Sequence, residues 1–326
     1  MTPVLVSRSQ IPDFRWNDHI RRSKQCVIYA YSFYLDIVSS GWKALVWPSA
    51  QDYMIVMPLP VRRKAGKTIV FQPHFCQYLG LFSVNELTAF QLEAFLRSLS
   101  VHFPYISAYS FNPENSGMMK VCSSGFNEFE FREQKTYWLR LDQDYEKIYG
   151  KYSKDRKLNV KRSKQNHWIL QQSEDIRPLV HLFRENHASQ IPGGVNPDAY
   201  RKLKLLSEQL HLFEKAEIWY AVKNDRIHAG ILLVKNSGRV IYLFNAADKT
   251  GRKGNARTFI LNYYFSAHAG KPLIFDFESP DVSSIASFYE SFGGEKKAYF
   301  AIRKNGLPFP FRQIQEWRRN HMVKTM

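Results

Sequence analysis

Cysteine is scarce: Cys26, Cys76 and Cys122 are the only three in 326 residues, widely separated and odd in number. That excludes a disulfide framework and offers no four-ligand zinc pattern, so reduced and mostly buried thiols are expected. Acidic residues are outnumbered, with 29 Asp and Glu against 46 Lys and Arg, for a formal charge of +17. Such an excess draws in anions, whether nucleic acid, a nucleotide cofactor or an anionic membrane face, and does not choose among them. Long apolar runs are missing too. None approaches the ~20 residues that cross a bilayer, and the opening MTPVLVSRSQIPDF lacks a charged-then-apolar export pattern. A soluble, cytoplasmic protein without a membrane span is the expectation. There is no serine elbow, no HExxH pair and no Walker turn, and His74 with Cys76 has no further ligands nearby in sequence. No metal site is therefore expected.

What is present is ample core material, 44% hydrophobic and 15% aromatic, in a chain longer than one core usually organises. Two domains are expected, at 1–140 and 141–326, both α/β with mixed sheets. In the first, VIYAYSFYLDIVSSGWKALVW reads as a strand or turn, a short helix and a strand. Residues 52–82 read as a hairpin whose tip carries Arg62, Arg63, Lys64 and Lys67. The run after it holds Gln72, His74, Gln77 and Tyr78, polar groups that either satisfy buried backbone or point into a cavity. Residues 85–103 carry a helical apolar stripe with Asn85 as its cap. ISAYSFNP and FREQKTYWLRL read as strands.

Residues 142–168 are helical and crowded with Lys147, Lys151, Lys154, Arg156, Lys157, Lys161, Arg162 and Lys164. They form either a solvated face or the wall of an anion-binding cleft. A helix over 173–189, the Pro/Gly loop IPGGVNP and a basic helix ending near Leu212 follow. From Ala216 the pattern turns to a meander of three strands joined by tight turns at Lys223–Asp225 and Asn236–Gly238. Its last strand leads into the stretch on which the function rests, RVIYLFNAADKTGRKGNARTFILNYYF at 239–265: a buried strand, a basic glycine-bearing turn and an apolar-striped helix. Such a turn gathers free backbone N–H groups at a helix's positive end and suits a phosphate, though plain turn chemistry uses the same residues. PLIFDFESP is a short central strand, with Asp276 and Glu278 on one face by alternation. The helix SSIASFYESFGG and the strand KKAYFAIRKN close the second half.

This order of elements resembles the GNAT-type N-acyltransferase core. In that superfamily the turn carries glutamine or arginine, glycine three positions on, then glycine or alanine two further, and its amides grip the donor's pyrophosphate. Gly254 and Ala256 match, Gly251 stands at the first position and Arg252 falls one place late. FYESFGG at 288–294 resembles the superfamily's tyrosine-bearing helix and turn, which implies Tyr289 as general acid. YSKDRKLNVKRSK, IFDFESPDVSSIASFYESFGG and KNGLPFP extend the similarity to the FemABX-like branch, across about residues 27–312. That branch has two tandem GNAT-like domains with a cleft between them. Its members pass an amino acid from aminoacyl-tRNA to a peptidoglycan precursor, and many carry lysine where this chain has Tyr289.

The resemblance implies a C-terminal acyltransferase domain, a degenerate N-terminal one, and an acyl-CoA or aminoacyl-tRNA donor. The acceptor is a small-molecule or peptide amine. Acylating an amine needs a polarised carbonyl, a base for the ammonium proton and an acid for the leaving group. Glu278, Asp276 and Tyr289 are the catalytic candidates, Asp276 having helix capping or a cationic partner as an alternative. Arg252, Lys253, Gly254, Asn255, Ala256, Lys154, Arg156 and Lys161 are the donor-binding candidates, and Gln72, His74, Gln77 and Tyr78 the substrate-binding ones. Two other readings stay open: a FemABX-type, aminoacyl-tRNA-dependent peptidyltransferase acting on cell-wall precursors, with tRNA as a partner, and a non-catalytic GNAT-fold module that binds nucleic acid or another polyanion.

Overall fold

The computed structural model describes residues 1–64, 66–191, 193–278 and 283–323, with side chains described as far as Trp317. The chain forms two units, one of Met1–Gln134 with the segment from Ala298 onward, the other Lys135–Lys297. The sequence reading divided it once, at 140/141. Two divisions arise because residues 301–305 of the strand Glu295–Asn305 pair antiparallel with Tyr105–Ser110 in the first unit.

In the first unit the antiparallel strands Val4–Ser7, Lys43–Pro48, Tyr53–Leu59 and Phe82–Ser83 form one sheet. The hairpin Val61–Lys64 and Lys67–Val70 begins a second group, with Val70 parallel to Ile106. Helices Asp13–Arg22 and Ser32–Val38 accompany the first strands, and Trp16 and Trp42 meet at 4.9 Å in the core. The helix expected from Asn85 runs Ala89–His102 and is capped by Thr88: Gln91 N–H donates to Thr88 Oγ1, and the Gln91 side chain accepts from Thr88 N–H. This reciprocal pair satisfies two donors at once, which Asn85, three residues earlier, is too far away to do.

The second unit is a mixed sheet in the order Lys135–Arg140, Ile274–Asp276, Arg239–Ala247, Arg226–Asn236, Ala216–Lys223 and Ile169–Ser173. Only the pairing of Ile274–Asp276 with Arg239–Ala247 is parallel. Asn224 and Asp225 have φ of 50° and 57°, and Ser237 and Gly238 have 46° and 76°. Paired positive φ values match the right-handed twist of the flanking strands, so the meander's two turns follow from those residue types. The helix Ala256–His268 buries Ala256, Ile260, Leu261, Tyr264 and Phe265 against the sheet. Each of its large side chains stabilises by about 1.5–3 kcal/mol. The segment expected to be one basic helical run is two helices, Tyr145–Gly150 and Lys154–Gln165, followed by the edge strand Ile169–Ser173.

Burial holds the pKa of three histidines, His19, His187 and His268, below the ordinary imidazole value. The unfolded chain therefore takes up protons on these rings before the folded chain does, and their contribution is present above the unfolded value. Stability is expected to fall as the pH drops below about 6.5, measured as urea midpoints between pH 7.5 and 5. A midpoint that rises on acidification would contradict this.

Candidate functional site

The strand Arg239–Ala247 pairs with Ile274–Asp276 only through Arg239↔Ile274, Val240↔Phe275 and Ile241↔Asp276, then runs on to Ala247. On its other edge a bulge between Leu232↔Phe244 and Leu233↔Tyr242 leaves Leu243 as the extra residue. Past Ile241 the strand thus parts from its parallel neighbour and is kinked by the bulge.

The turn beyond Ala247 is tighter than its glycines suggest. Asp248 caps the short helix Lys249–Lys253, its Oδ1 accepting Gly251 N–H at 2.6 Å and its Oδ2 lying 2.8 Å from His228 Nδ1. A Cβ on Gly251 would sit 2.1 Å from the His228 carbonyl oxygen, and one on Gly254 would sit 2.3 Å from the Trp168 ring. Trp168 Nε1 donates to the Gly254 carbonyl at 2.9 Å. Close packing, at negative φ for Gly254, accounts for both glycines. The N–H groups of 251, 252, 254 and 255 are accepted by Asp248, Thr250 and Arg252 within the turn. Phosphate-holding capacity lies instead at the start of Ala256–His268, where Asn255 has φ 56° and gives no side-chain cap. First-turn N–H groups have no intrahelical acceptor.

Two arginines meet near that helix start. Arg156, on the inward stripe of Lys154–Gln165 with Val160 and Ser163, is only 6% exposed. Its Nε donates to Ser291 Oγ at 2.9 Å, its Nη1 donates to Thr258 Oγ1, and its guanidinium lies 4.3 and 4.4 Å from the Phe288 and Phe292 rings. Burial, reinforced by the charge of Arg257, lowers its pKa to about 10. Arg257 Nη1 donates to Asn245 Oδ1 at 2.6 Å and its guanidinium lies 5.5 Å from the Phe288 ring. Among the described residues no carboxylate is within ion-pair distance of either guanidinium. A helix's positive end and two arginines without an acid make a strongly anion-attracting spot.

The other donor-binding candidates divide. Arg252 Nη1 donates to the Ala247 carbonyl at 2.7 Å and so holds the strand end. Ala256 is buried in the core, whereas Lys154, Lys161 and Lys253 are exposed. Arg257, Asn245 and Tyr242 escaped the sequence reading. The one signal for Arg257 was its place directly after Ala256.

Asp276 and Glu278 do not share a face by strand alternation, because the strand ends at Asp276 and Glu278 adopts φ 62°. Asp276 is 1% exposed, and its Oδ1 accepts both Thr136 Oγ1 at 2.7 Å and Glu278 N–H at 3.0 Å. Its Oδ2 is 4.0 Å from Arg239 Nη1. Glu278 is partly exposed. A left-handed glutamate is strained by about 1–2 kcal/mol, and the Asp276 hydrogen bond holds it there. Tyr289 stacks on Phe277 at 4.7 Å and lies 6.2 Å from Tyr242. Burial foremost, then Tyr242, Glu278 and Asp276, push its phenol well above the usual range, and Arg257 opposes them. Burial also pushes Tyr242 up to about 12. Both phenols are thus kept protonated.

The substrate-binding candidates belong to the first unit. Gln72 and Gln77 line a cavity of about 210 Å³ with Ser110, Arg132, Tyr299 and Arg303. Gln72 bridges Cys76 O and Ser110 N–H, while both amide atoms of Gln77 are buried without a hydrogen-bond partner among the described residues. Tyr78 is fully buried, its ring 5.7 Å from Tyr29 and from Tyr299. His74 is exposed. Among the described residues no group of three or more His, Cys, Asp or Glu is placed to hold a metal ion.

No family model and no curated protein matches the sequence. Solved structures do match in shape. FemX aligns at a TM-score of 0.65 with 11% identity, covering 93% of this chain and 98% of that one. A conserved protein of unknown function from Bacteroides thetaiotaomicron aligns at 0.57 with 13% identity, covering 90% and 96%. L-PGS from Bacillus licheniformis aligns at 0.54 with 12% identity, covering 94% and 96%. This chain therefore shares the fold of these proteins over nearly its whole length.

Proposed function

We propose that the chain is an N-acyltransferase that moves an acyl or aminoacyl group from a CoA-type or tRNA donor to an amine. The observation that carries this reading is the parting of Arg239–Ala247 from Ile274–Asp276 just where Arg257, Tyr242, Glu278 and Tyr289 gather. The start of Ala256–His268 with Arg257 and Arg156 holds the donor's phosphate. The donor carbonyl lies along the strand edge past Ile241, polarised by backbone N–H. Glu278 accepts the proton of the attacking amine as the C–N bond forms, and the Tyr289 phenol protonates the departing thiolate or alkoxide as the C–S or C–O bond breaks. Asp276 positions Glu278.

A tRNA donor is favoured by the exposed Lys154, Lys161, Arg162 and Lys164 along one helix, since such charges engage a phosphate backbone. The test is transfer of a radiolabelled group from acetyl-CoA, a longer acyl-CoA and charged tRNA to a panel of amines, with thermal shift as the binding readout. Transfer from one donor class and stabilisation by it are expected. Steeply salt-dependent binding would select tRNA. No stabilisation and no transfer from any donor would refute the reading.

A further inference from the structure

One feature of the sequence has no part in acyl transfer: the basic hairpin tip. In the first unit the hairpin Val61–Lys64 and Lys67–Val70 exposes Arg62, Arg63, Lys64 and Lys67. Lys67 Nζ lies 5.7 Å from the Phe311 ring, so the tip adjoins the helix Phe311–Val323. That helix and the turn before it expose large apolar side chains: Phe309 is 80% exposed, Phe311 52%, Ile314 43% and Trp317 61%. Phe311, Ile314 and Trp317 recur every three residues and so form one stripe along the helix. From Phe309 onward the sequence holds Arg312, Arg318, Arg319 and Lys324 against the single acid Glu316.

The exposed area of Phe309, Phe311, Ile314 and Trp317 beside a basic hairpin suits an occupant that is apolar within and anionic at its surface. We infer that this face is a peripheral membrane-binding surface, seated on a bilayer rich in anionic lipid. The aromatic stripe enters the headgroup and upper acyl layer, and Arg62, Arg63, Lys64, Lys67 and Arg312 contact lipid phosphates. Single-stranded nucleic acid would be held by flat rings stacking on bases. Ile314 stands in the middle of this stripe, and a stripe running along a helix is the arrangement that lies in a membrane interface. No helix among the described residues is long and apolar enough to cross a membrane.

The experiment is co-sedimentation of the full chain with vesicles of phosphatidylcholine alone and vesicles containing about one-third phosphatidylglycerol. Binding to the anionic vesicles is expected to be at least about tenfold tighter. The pair Phe311→Ser with Trp317→Ser, and separately the triple Arg62→Gln, Arg63→Gln, Lys64→Gln, should each weaken it by about tenfold. Thermal midpoints of both variants are expected to match the parent, because all five side chains are exposed. The hairpin variant keeps the test open should the helix variant fold poorly. Equal binding to both vesicle types, no binding, or binding that survives both variants would overturn the inference. So would tRNA that displaces the vesicles and needs Phe311 and Trp317, because the face would then be a nucleic-acid surface.

Discussion

Replacing Glu278 by glutamine is expected to lower turnover by about 10²- to 10⁴-fold while donor affinity stays unchanged. The amide has the shape of the carboxylate but cannot take up the amine's proton, so the loss falls on the chemical step. Glu278 is the proposed base. It is partly exposed, bends away from the strand at φ 62°, and acts electrostatically on the Tyr289 phenol. The control is Glu278→Gly, which relieves the left-handed backbone and should be no less stable than the parent. Equal inactivity in a folded glycine variant would show that chemistry and not collapse is responsible. A glutamine variant within about threefold of the parent would remove Glu278 from the mechanism.

Asp276→Ala is the substitution expected to damage the fold most. Its Oδ1 accepts the buried Thr136 hydroxyl and the Glu278 N–H, and its Oδ2 faces Arg239, itself 8% exposed and 4.4 Å from the Trp138 ring. Alanine strands both donors and leaves a buried guanidinium without this carboxylate, a loss of about 3–5 kcal/mol. The thermal midpoint should fall by about 10 °C or more. Asp276→Asn keeps a carbonyl oxygen for both hydrogen bonds and removes only the charge opposite Arg239, so it should lose about half as much. Identical losses in the two variants would mean that the hydrogen bonds at Oδ1 contribute nothing. In the proposed mechanism the two carboxylates separated by one phenylalanine divide into a base, Glu278, and a positioning group, Asp276.

Much of the second unit was legible in the residues because local chemistry decides it. Asn224, Asp225, Ser237 and Gly238 accept positive φ, so the meander could be read turn by turn. The stripe from Ala256 to Phe265 likewise announced a helix against a sheet. Legibility ended where distant residues decide. Gly251 and Gly254 look like a phosphate loop until the His228 carbonyl and the Trp168 ring are seen pressed against them. Arg156 reads as one basic residue among eight, and only the rings of Phe288 and Phe292 distinguish it from its solvated neighbours. Glu278 was singled out by an alternation that stops two residues earlier. The strand at 301–305 could not be assigned from its place in the chain, because its partner Tyr105–Ser110 lies far away in sequence.

That strand sets an order on synthesis. Tyr105–Ser110 is made before the Lys135–Lys297 unit, and its partner residues, Ala301 to Asn305, only after it. Until they emerge, one side of Tyr105–Ser110 is an open edge on which other chains can pair, and closing it means joining segments separated by the whole second unit. The strands from Ile169–Ser173 to Ile274–Asp276 all precede residue 277, so that part of the Lys135–Lys297 unit can form first. The Met1–Gln134 unit therefore finishes folding after the unit that follows it, and a messenger cut short before residue 298 would yield a largely formed second unit and a first unit with an unpaired, sticky edge.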